Sequence, residues 1–158
     1  MWTLRAVERS DFESLYQLDQ QCFAEGIAYS RADLLAFLSV PHSIALLAES
    51  TSGAMVGFII AELRRKGEKR VGHIVTIDVA ASMRRKGLGR ALLFAVERRL
   101  REMGIDRVRL EVAVDNDGAQ AFYDREGYER IGRIAGYYLD RIDAFVMEKR
   151  LEPGGAEG

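Results

Sequence analysis

The sequence predicts a mixed α/β fold, and three observations support this. Short apolar runs rich in β-branched residues alternate along the chain with amphipathic segments. Several of the amphipathic segments are preceded by residues that cap helices. The chain has 158 residues, of which 48% are hydrophobic, and this is enough to build one buried core. We therefore expect a single domain over residues 1–151, followed by a disordered tail at residues 152–158.

The N-terminal half predicts four strands and two helices. TLRAV is typical of a strand, and Ser10 with Glu13 forms a capping pattern that predicts a helix to about Phe23. Ser30 predicts the start of the second helix. The apolar runs SIALLAE and AMVGFIIAELR, separated by STSG, predict an antiparallel hairpin. A basic loop over residues 64–70 then leads to the strand VGHIVTIDVA.

The C-terminal half predicts two helices and three strands. The first helix is amphipathic and ends at Gly104, because apolar residues recur at helical spacing at Leu92, Leu93, Val96 and Leu100. RVRLEVAV is typical of a strand, and AQAFYDRE of a short helix that ends at Gly127. The stretch YERIGRIAGYYLDRIDAFVMEKR predicts two closing strands.

Charge, cysteine and histidine content argue against several classes of protein. The formal net charge of −1 argues against bulk electrostatic binding of nucleic acid. Cys22 has no partner for a disulfide within the chain, and we expect a small buried hydrophobe rather than an acyl carrier. His42 and His73 are too far apart to predict a metal site, and we expect surface or strand residues. With no apolar run long enough for a bilayer, we expect a cytoplasmic protein without a membrane partner.

The stretch SMRRKGLGRALL, Ser82–Leu93, places two glycines and four cationic residues at the start of a predicted helix. It contains neither the Lys-Ser/Thr pair of a Walker A loop nor the full glycine spacing of a dinucleotide fingerprint. What remains is R-x-x-G-x-G over residues 84–89, whose glycines and helix N-terminus suit an anion held on backbone N–H groups. Arg85, Lys86 and Arg90 add positive charge. The alternative interpretation is a solvated basic turn.

Three stretches together resemble the GNAT acetyltransferases. VAASMRRKGLGRALL resembles the loop that holds the pyrophosphate of acetyl-CoA, and LEVAVDNDGAQAFYDREGY and YYLDRIDAFVM are similar to segments of ribosomal-protein-alanine N-acetyltransferases and related N-terminal acetyltransferases. The resemblance covers nearly the whole chain. It implies the GNAT fold, with a central, mostly antiparallel sheet that is splayed at its central strands and flanked by about four helices.

The resemblance also implies where acetyl-CoA binds. Backbone groups of Ile77, Asp78 and Val79 would meet the pantetheine arm and the thioester. Asn116 matches an asparagine that hydrogen-bonds the cofactor, although an Asx turn is the alternative. The pyrophosphate would be wrapped by Arg84, Arg85, Lys86, Gly87, Leu88, Gly89 and Arg90.

Three residues of this region depart from the family pattern. Asp115 and Gly118 stand where serine and alanine are usual, which affects the loop around Asn116. Asp78 is acidic on an otherwise apolar strand, and we expect its side chain to face outward.

Acetyl transfer to an amine requires a proton acceptor, and Glu111 is the candidate. An α-amine has a pKa of about 7.7–8.0, against about 10.4 for lysine, so the α-amine is the easier acceptor near neutral pH. Glu111 stands alone among apolar residues on a predicted core strand, and partial burial is expected to raise its pKa. The resemblance implies that Glu111 is the proton acceptor. Alternatively, Glu111 faces outward and pairs with Arg107 or Arg109.

The leaving thiolate requires a proton donor. A tyrosine hydroxyl can supply the proton, and the resemblance implies this role for Tyr123, which would also contact the cofactor. The alternative is a core aromatic residue beside Phe122.

Four aromatic residues are candidates for substrate binding. Tyr137 and Tyr138 resemble the hairpin tyrosines that hold the first residues of a peptide, with plain strand aromatics as the alternative. Phe23 and Tyr29 lie where the family places the other wall of the groove, with core or rim packing as the alternative.

We therefore expect an enzyme, a monomer or homodimer, that transfers acetyl directly from acetyl-CoA to the N-terminal α-amine of a protein in a ternary complex. We expect no metal. An acetyltransferase of a small amine or of a lysine side chain is one alternative. A non-catalytic acyl-CoA-binding module is the other.

Overall fold

The computed structural model describes residues 1–23 and 27–152. Within these residues seven strands and four α-helices follow one another along the chain. No helix of the described residues is both long enough and apolar enough to cross a membrane. The elements, in chain order, are β1 (Trp2–Ala6), α1 (Phe12–Cys22), α2 (Arg31–Ser39), β2 (Ile44–Ser50), β3 (Met55–Lys66), β4 (Lys69–Val79), α3 (Leu88–Glu102), β5 (Arg107–Ala113), α4 (Asp117–Arg125), β6 (Glu129–Tyr138) and β7 (Ile142–Arg150).

The strands form one sheet in the order β1-β2-β3-β4-β5-β7-β6. All neighbouring pairs are antiparallel except β4 and β5, which are parallel because the chain crosses over through α3 between them. The parallel pairing is limited to Gly72 with Val108 and His73 with Arg109. The two central strands therefore separate beyond His73. The mixed α/β class, the mostly antiparallel sheet, the splay and the four helices are confirmed.

Helices cover both faces of the sheet. On one face, Leu92, Leu93, Val96 and Leu100 of α3 are fully buried in the larger apolar cluster, as the helical spacing predicts. On the other face, α1 and α2 enclose a smaller cluster that includes Leu15, Leu34 and Phe58. The sheet thus has an α3 face and an α1–α2 face.

The capping residues show one correct and one wrong prediction. Ser30 caps α2, because its hydroxyl accepts a hydrogen bond from the N–H of Asp33 at 3.1 Å. The capping pattern predicted at Ser10 and Glu13 is wrong. Ser10 lies in a preceding 3₁₀ turn, where Asp11 accepts from the N–H of Glu8 at 2.7 Å, and Glu13 pairs with Arg31 at 2.6 Å instead.

The basic segment over residues 64–70, predicted as a loop, is mostly strand. Strands β3 and β4 extend to Lys66 and Lys69, so only Gly67 and Glu68 form the turn. Gly67 has a φ of 64°, a left-handed conformation that suits glycine in a two-residue hairpin connection. We call residues 64–70 the basic hairpin.

Gly104 follows α3 at a φ of 79°, as its predicted role at the end of the helix requires. The predicted tail, residues 152–158, lies outside the described residues except for Glu152.

Candidate active site

The glycine loop, residues 84–90, turns the chain from the end of β4 into α3. Its two left-handed residues are Arg85, with a φ of 63°, and Gly87, with a φ of 86°. Gly87 occupies the N-cap position, and no side chain caps the helix there. The first N–H of α3 that bonds back to the loop is that of Ala91, which donates to Gly87 at 3.0 Å. The N–H groups before Ala91 are thus left to bind an anion, which the helix dipole favours.

The cations of the glycine loop differ in what they contact. Arg84 donates to the carbonyl of Val79 at 3.2 Å, and Arg90 lies 3.4 Å from the carboxylate of Glu126. Arg85 and Lys86 are exposed and form no ion pair with the described residues. Leu88 is buried and can offer only its backbone. Arg85 and Lys86 are therefore the side chains most available to a phosphate.

A Cβ atom would have room at both glycines of the loop. At Gly87 it would meet nothing within 4 Å, and at Gly89 it would stand at an ordinary 3.5 Å from the ring of Phe122. The left-handed backbone of Gly87, rather than crowding, thus accounts for the glycine at that position.

The gap between β4 and β5 lies beside the predicted cofactor residues of β4. Ile77, Asp78 and Val79 pair with β3 along one edge, while the parallel pairing with β5 ends at His73. The other edge of β4 at these residues is therefore open to a bound molecule, as the predicted backbone contacts require.

Glu111 lies in a row of charged residues that crosses three strands. Its Oε1 atom lies 2.7 Å from Nε2 of His73, and Nδ1 of His73 lies 3.4 Å from Oε2 of Glu62. Arg64 in turn contacts Glu62 at 2.8 Å. The imidazole is 5% exposed, so both carboxylates meet it away from bulk water. We call Glu62, His73 and Glu111 the carboxylate–imidazole cluster.

The charge state of Glu111 differs from the prediction. Burial raises its pKa, but the hydrogen bond and charge of His73, the charge of Arg64 and a hydrogen bond from Tyr137 together outweigh burial, so the pKa is lowered. The expectation of a raised pKa is therefore wrong. Pairing with Arg107 or Arg109 does not occur either, because both arginines bind Glu148, at 3.0 and 2.6 Å.

Two tyrosines of β6 stand over Glu111. The Tyr137 hydroxyl donates to Oε1 of Glu111 at 3.3 Å, and the Tyr138 hydroxyl donates to its carbonyl at 3.4 Å. The two rings meet edge to face at 4.8 Å. Burial and then the charge of Glu111 raise the pKa of Tyr137 to about 12, so its hydroxyl stays protonated at neutral pH.

Of the two residues predicted for the other wall of the groove, Tyr29 contacts β4 and Phe23 lies at the end of α1. The Tyr29 hydroxyl donates to the carbonyl of Val75 at 3.2 Å, and its ring packs against Phe37 at 5.1 Å. Phe23 follows the last residue of α1 and is partly exposed. Tyr29 thus contacts β4 beside the carboxylate–imidazole cluster, and Phe23 is the last described residue before the described chain resumes at residue 27.

Tyr123 lies on α4 and packs against the larger apolar cluster. Its ring meets Phe122 at 5.2 Å and Tyr128 at 5.8 Å, so it has the core packing that was the alternative interpretation. Burial raises its pKa. The hydroxyl therefore keeps its proton at neutral pH, which a proton donor needs.

Asn116 is the N-cap of α4. Its Oδ1 atom accepts from the N–H of Ala119 at 3.1 Å, which leaves the amide NH₂ group as the part that could meet a cofactor. Gly118 is open, since an added Cβ would meet only Asn116 Oδ1, at 4.0 Å. Asp115 lies in the turn before Asn116.

Asp78 does not face outward as predicted. It is 1% exposed, on the α1–α2 face, and its carboxyl accepts from Thr76 at 2.5 Å. Burial, and next a hydrogen bond and charge from the buried Asp19, raise its pKa well above the usual value. Two neighbouring buried carboxyls cannot both ionise at low cost, so Asp78 is held protonated. Nearby, burial raises the pKa of the Cys22 thiol, which disfavours a nucleophilic thiolate.

Glu62 and His73 are members of the site that the sequence does not predict. One signal could have found this pair: in a hairpin turning at Gly67 and Glu68, the register places residue 62 opposite residue 73, as observed. The approach of His73 to Glu111 depends on how β4 and β5 align, which no local pattern encodes.

The profile of the acetyltransferase (GNAT) family matches residues 12–128, well over half of the chain. The fold and the site thus define an acetyltransferase, and the chain belongs to the GNAT family.

Particular relatives agree with this assignment. The chain is similar to the N-alpha-acetyltransferase RimI of Mycobacterium tuberculosis, with 31% identity over 93% of this chain and 91% of the relative. It is similar to the crystal structure of Ard1 from Thermoplasma volcanium, with a TM-score of 0.84 and 30% identity over 96% and 98% of the two chains. A chain of the NatC complex bound to Gag peptide and CoA shares the fold, with a TM-score of 0.85 and 22% identity over 96% and 99%.

Proposed function

We propose that this acetyltransferase transfers acetyl from acetyl-CoA to the N-terminal α-amine of a protein, directly and in a ternary complex. The observation that carries the proposal is the position of Glu111, which is ionised and lies beneath Tyr137 and Tyr138 where β4 and β5 separate. The names of two relatives support it, since one is an N-alpha-acetyltransferase and the other is a complex bound to CoA and a peptide.

The residues present fit acetyl-CoA. The uncapped N-terminus of α3, the left-handed Gly87 and the exposed Arg85 and Lys86 suit a pyrophosphate, with Arg84, Leu88, Gly89 and Arg90 completing the loop. The open edge of β4 at Ile77, Asp78 and Val79 suits the amides of a pantetheine arm, and the Asn116 NH₂ group can donate to it. Acetyl-CoA supplies the activated acyl group.

Glu111 handles the proton of the amine. Its lowered pKa keeps the carboxylate ionised throughout the range in which an α-amine begins to lose its proton, at a pKa of about 7.7–8.0. The carboxylate can therefore accept that proton, directly or through a water molecule. Tyr137 and His73 donate to Glu111 and fix its orientation, which makes them positioning residues.

Tyr123 is the donor to the leaving thiolate, partly through a hydrogen bond and partly through transfer of its proton. Its raised pKa keeps the hydroxyl protonated at neutral pH, and a thiolate whose conjugate acid has a pKa near 8.5 can accept a hydrogen bond from it. Tyr29, Phe23, Tyr137 and Tyr138 then form the two walls between which the first residues of the peptide bind.

The experiment is thiol release from acetyl-CoA with peptides that differ in their first residue. Matched controls are the same peptides blocked at the N-terminus but containing lysine, and small amines. Turnover confined to free α-amines supports the proposal, and turnover only with lysine or small amines contradicts it. E111Q is expected to lower kcat by about 10²–10⁴-fold, as expected for loss of a proton acceptor. E148Q is the control, because Glu148 on β7 has the same side-chain exposure as Glu111, 13%.

A further inference from the structure

The basic hairpin places like charges directly opposite one another. Lys66 pairs with Lys69 and Arg65 with Arg70 in the β3–β4 register, and all four side chains are exposed. Cross-strand pairs of like charge destabilise a sheet. The whole chain has a formal net charge of only −1, so this concentration of cations is local. The proposed chemistry does not use it.

The two faces of the basic hairpin differ. Side chains alternate along a strand, so Arg64 and Lys66 point to the same side as Glu62, and Lys69 joins them as the cross-strand partner of Lys66. This side carries the carboxylate–imidazole cluster. Arg65 and Arg70 point to the α3 side, where Arg70 donates to the carbonyl of Met103 at 3.4 Å.

The cations on the cluster side are not equally engaged. Arg64 is held by Glu62 at 2.8 Å. Lys66 and Lys69 form no ion pair with any residue that the structure describes, not even with Glu68 in the turn between them. An anion from outside the chain would offset their mutual repulsion.

The hairpin lies at the opposite end of β4 from the glycine loop. The glycine loop follows Val79 and the basic hairpin precedes Val71, with His73 between them. Four residues of strand separate Glu62 from Lys66, a distance of about 13 Å. An extended peptide rises by about 3.3 Å per residue, as a β-strand does. A peptide whose amine lies at Glu111 can thus reach Lys66 at about its fourth to sixth residue without crossing the glycine loop.

We propose that Lys66 and Lys69 select substrates, by binding acidic side chains about four to six residues after the acetylated N-terminus. The inference rests on the proposed function and names its substrate class, which is proteins with an acidic N-terminal segment. Arg64 extends the same positive surface toward the cluster, and Glu62 keeps it oriented.

The test compares two peptides that share their first three residues and then carry either Asp and Glu or Gln and Ser at positions 4–6. The wild-type enzyme is expected to acetylate the acidic peptide with a KM about tenfold lower at low salt. At about 0.5 M salt the difference should shrink severalfold, because exposed charges are then screened. K66E/K69E is expected to abolish or reverse the preference for the acidic peptide. The two acetylated products are distinguished by their masses.

R98E/R99E is the matched control, because it makes the same change in charge on exposed residues of α3. It should keep the wild-type preference. Equal KM values for the two peptides in the wild-type enzyme, or a preference that K66E/K69E leaves intact, would overturn the inference while the proposed function stands. If neither peptide is acetylated, both fail together. If K66E/K69E instead weakens binding of an RNA duplex and leaves peptide preference unchanged, the hairpin binds nucleic acid and the inference is wrong.

Discussion

Two regions meet on strand β4, the glycine loop after Val79 and the carboxylate–imidazole cluster around His73, and they are built differently. The glycine loop depends on a few consecutive residues, two left-handed φ angles and the start of one helix. The cluster depends on the register of three strands, which brings Glu62, His73 and Glu111 together from positions up to 49 residues apart. A substitution in the glycine loop should thus affect only the function of that loop. A substitution in the carboxylate–imidazole cluster should change the behaviour of the other residues of the cluster.

The largest expected effect is that of G87E on the glycine loop. The substitution forces a side chain into a left-handed conformation and places a negative charge at the uncapped N-terminus of α3. We expect the affinity for acetyl-CoA, measured by calorimetry, to fall at least about 100-fold, since charge and backbone both oppose a phosphate there. G53E is the control, because Gly53 has a φ of 88° and equally open surroundings in the β2–β3 turn. Similar affinities in the two variants would contradict the assignment of the loop.

His73 tests the cluster through the pH dependence of kcat. The hydrogen bond and charge of His73 lower the pKa of Glu111 against the effect of burial. H73L removes both contributions of His73 and leaves burial opposed only by Arg64 and Tyr137, so the pKa of Glu111 rises and the acidic limb of the kcat profile moves to higher pH. We expect kcat near pH 6 to fall about tenfold, with a smaller loss at pH 8.

H73Q is the matched variant, because its amide can still donate to Glu111. It should keep the acidic limb closer to that of the wild type. Peptide KM should change little in either variant. A limb that stays in place in H73L, with thermal unfolding showing the variant to be folded, would mean that His73 does not act through Glu111.

The contrast between local and assembled features also explains which predictions succeeded. Ser30 and Gly104 act on backbone groups within a few positions, so their roles are readable from the sequence. The capping pattern at Ser10 failed although its spacing was correct, because Asp11 satisfies the N–H of Glu8 in an equivalent arrangement. Local patterns therefore predict a type of structure well but do not choose between overlapping candidates.

The failures at assembled features share one cause. Asp78 has a raised pKa because it is buried and because Asp19, on a helix 59 residues earlier, lies beside it on the α1–α2 face. Glu111 has a lowered pKa because a strand pairing brings His73 to it. In both cases the sequence identified an unusual carboxylate, but the partner that sets its charge comes from a distant element.

The buried carboxyl pair gives a smaller, pH-dependent effect on stability. Asp78 has a raised pKa when folded and about 3.9 when unfolded, so the folded state binds more protons between the two values. The contribution of Asp78 to the free energy of unfolding is therefore complete below about pH 3.9. It is lost as the pH rises through the pKa that Asp78 has in the folded state. We expect D78N, which keeps a neutral amide beside Asp19, to lose less stability than the wild type between pH 4 and pH 8, by about 1 kcal/mol or more. Urea unfolding at several pH values measures this difference. If the free energy of unfolding changes with pH in the same way in both proteins, Asp78 ionises without cost.

The smallest effect concerns Asn116, where a structural and a cofactor role coincide in one side chain. Its Oδ1 atom caps α4, so N116A should lose about 1 kcal/mol of stability. Asp caps a helix as well as Asn does, and N116D should therefore keep its stability while losing the NH₂ group. If that group meets acetyl-CoA, N116D binds it several-fold more weakly by calorimetry, and N116A does so too. If N116D binds acetyl-CoA like the wild type, Asn116 acts only as a cap, and the cofactor contact implied by the resemblance is wrong, even though the same resemblance led to the glycine loop.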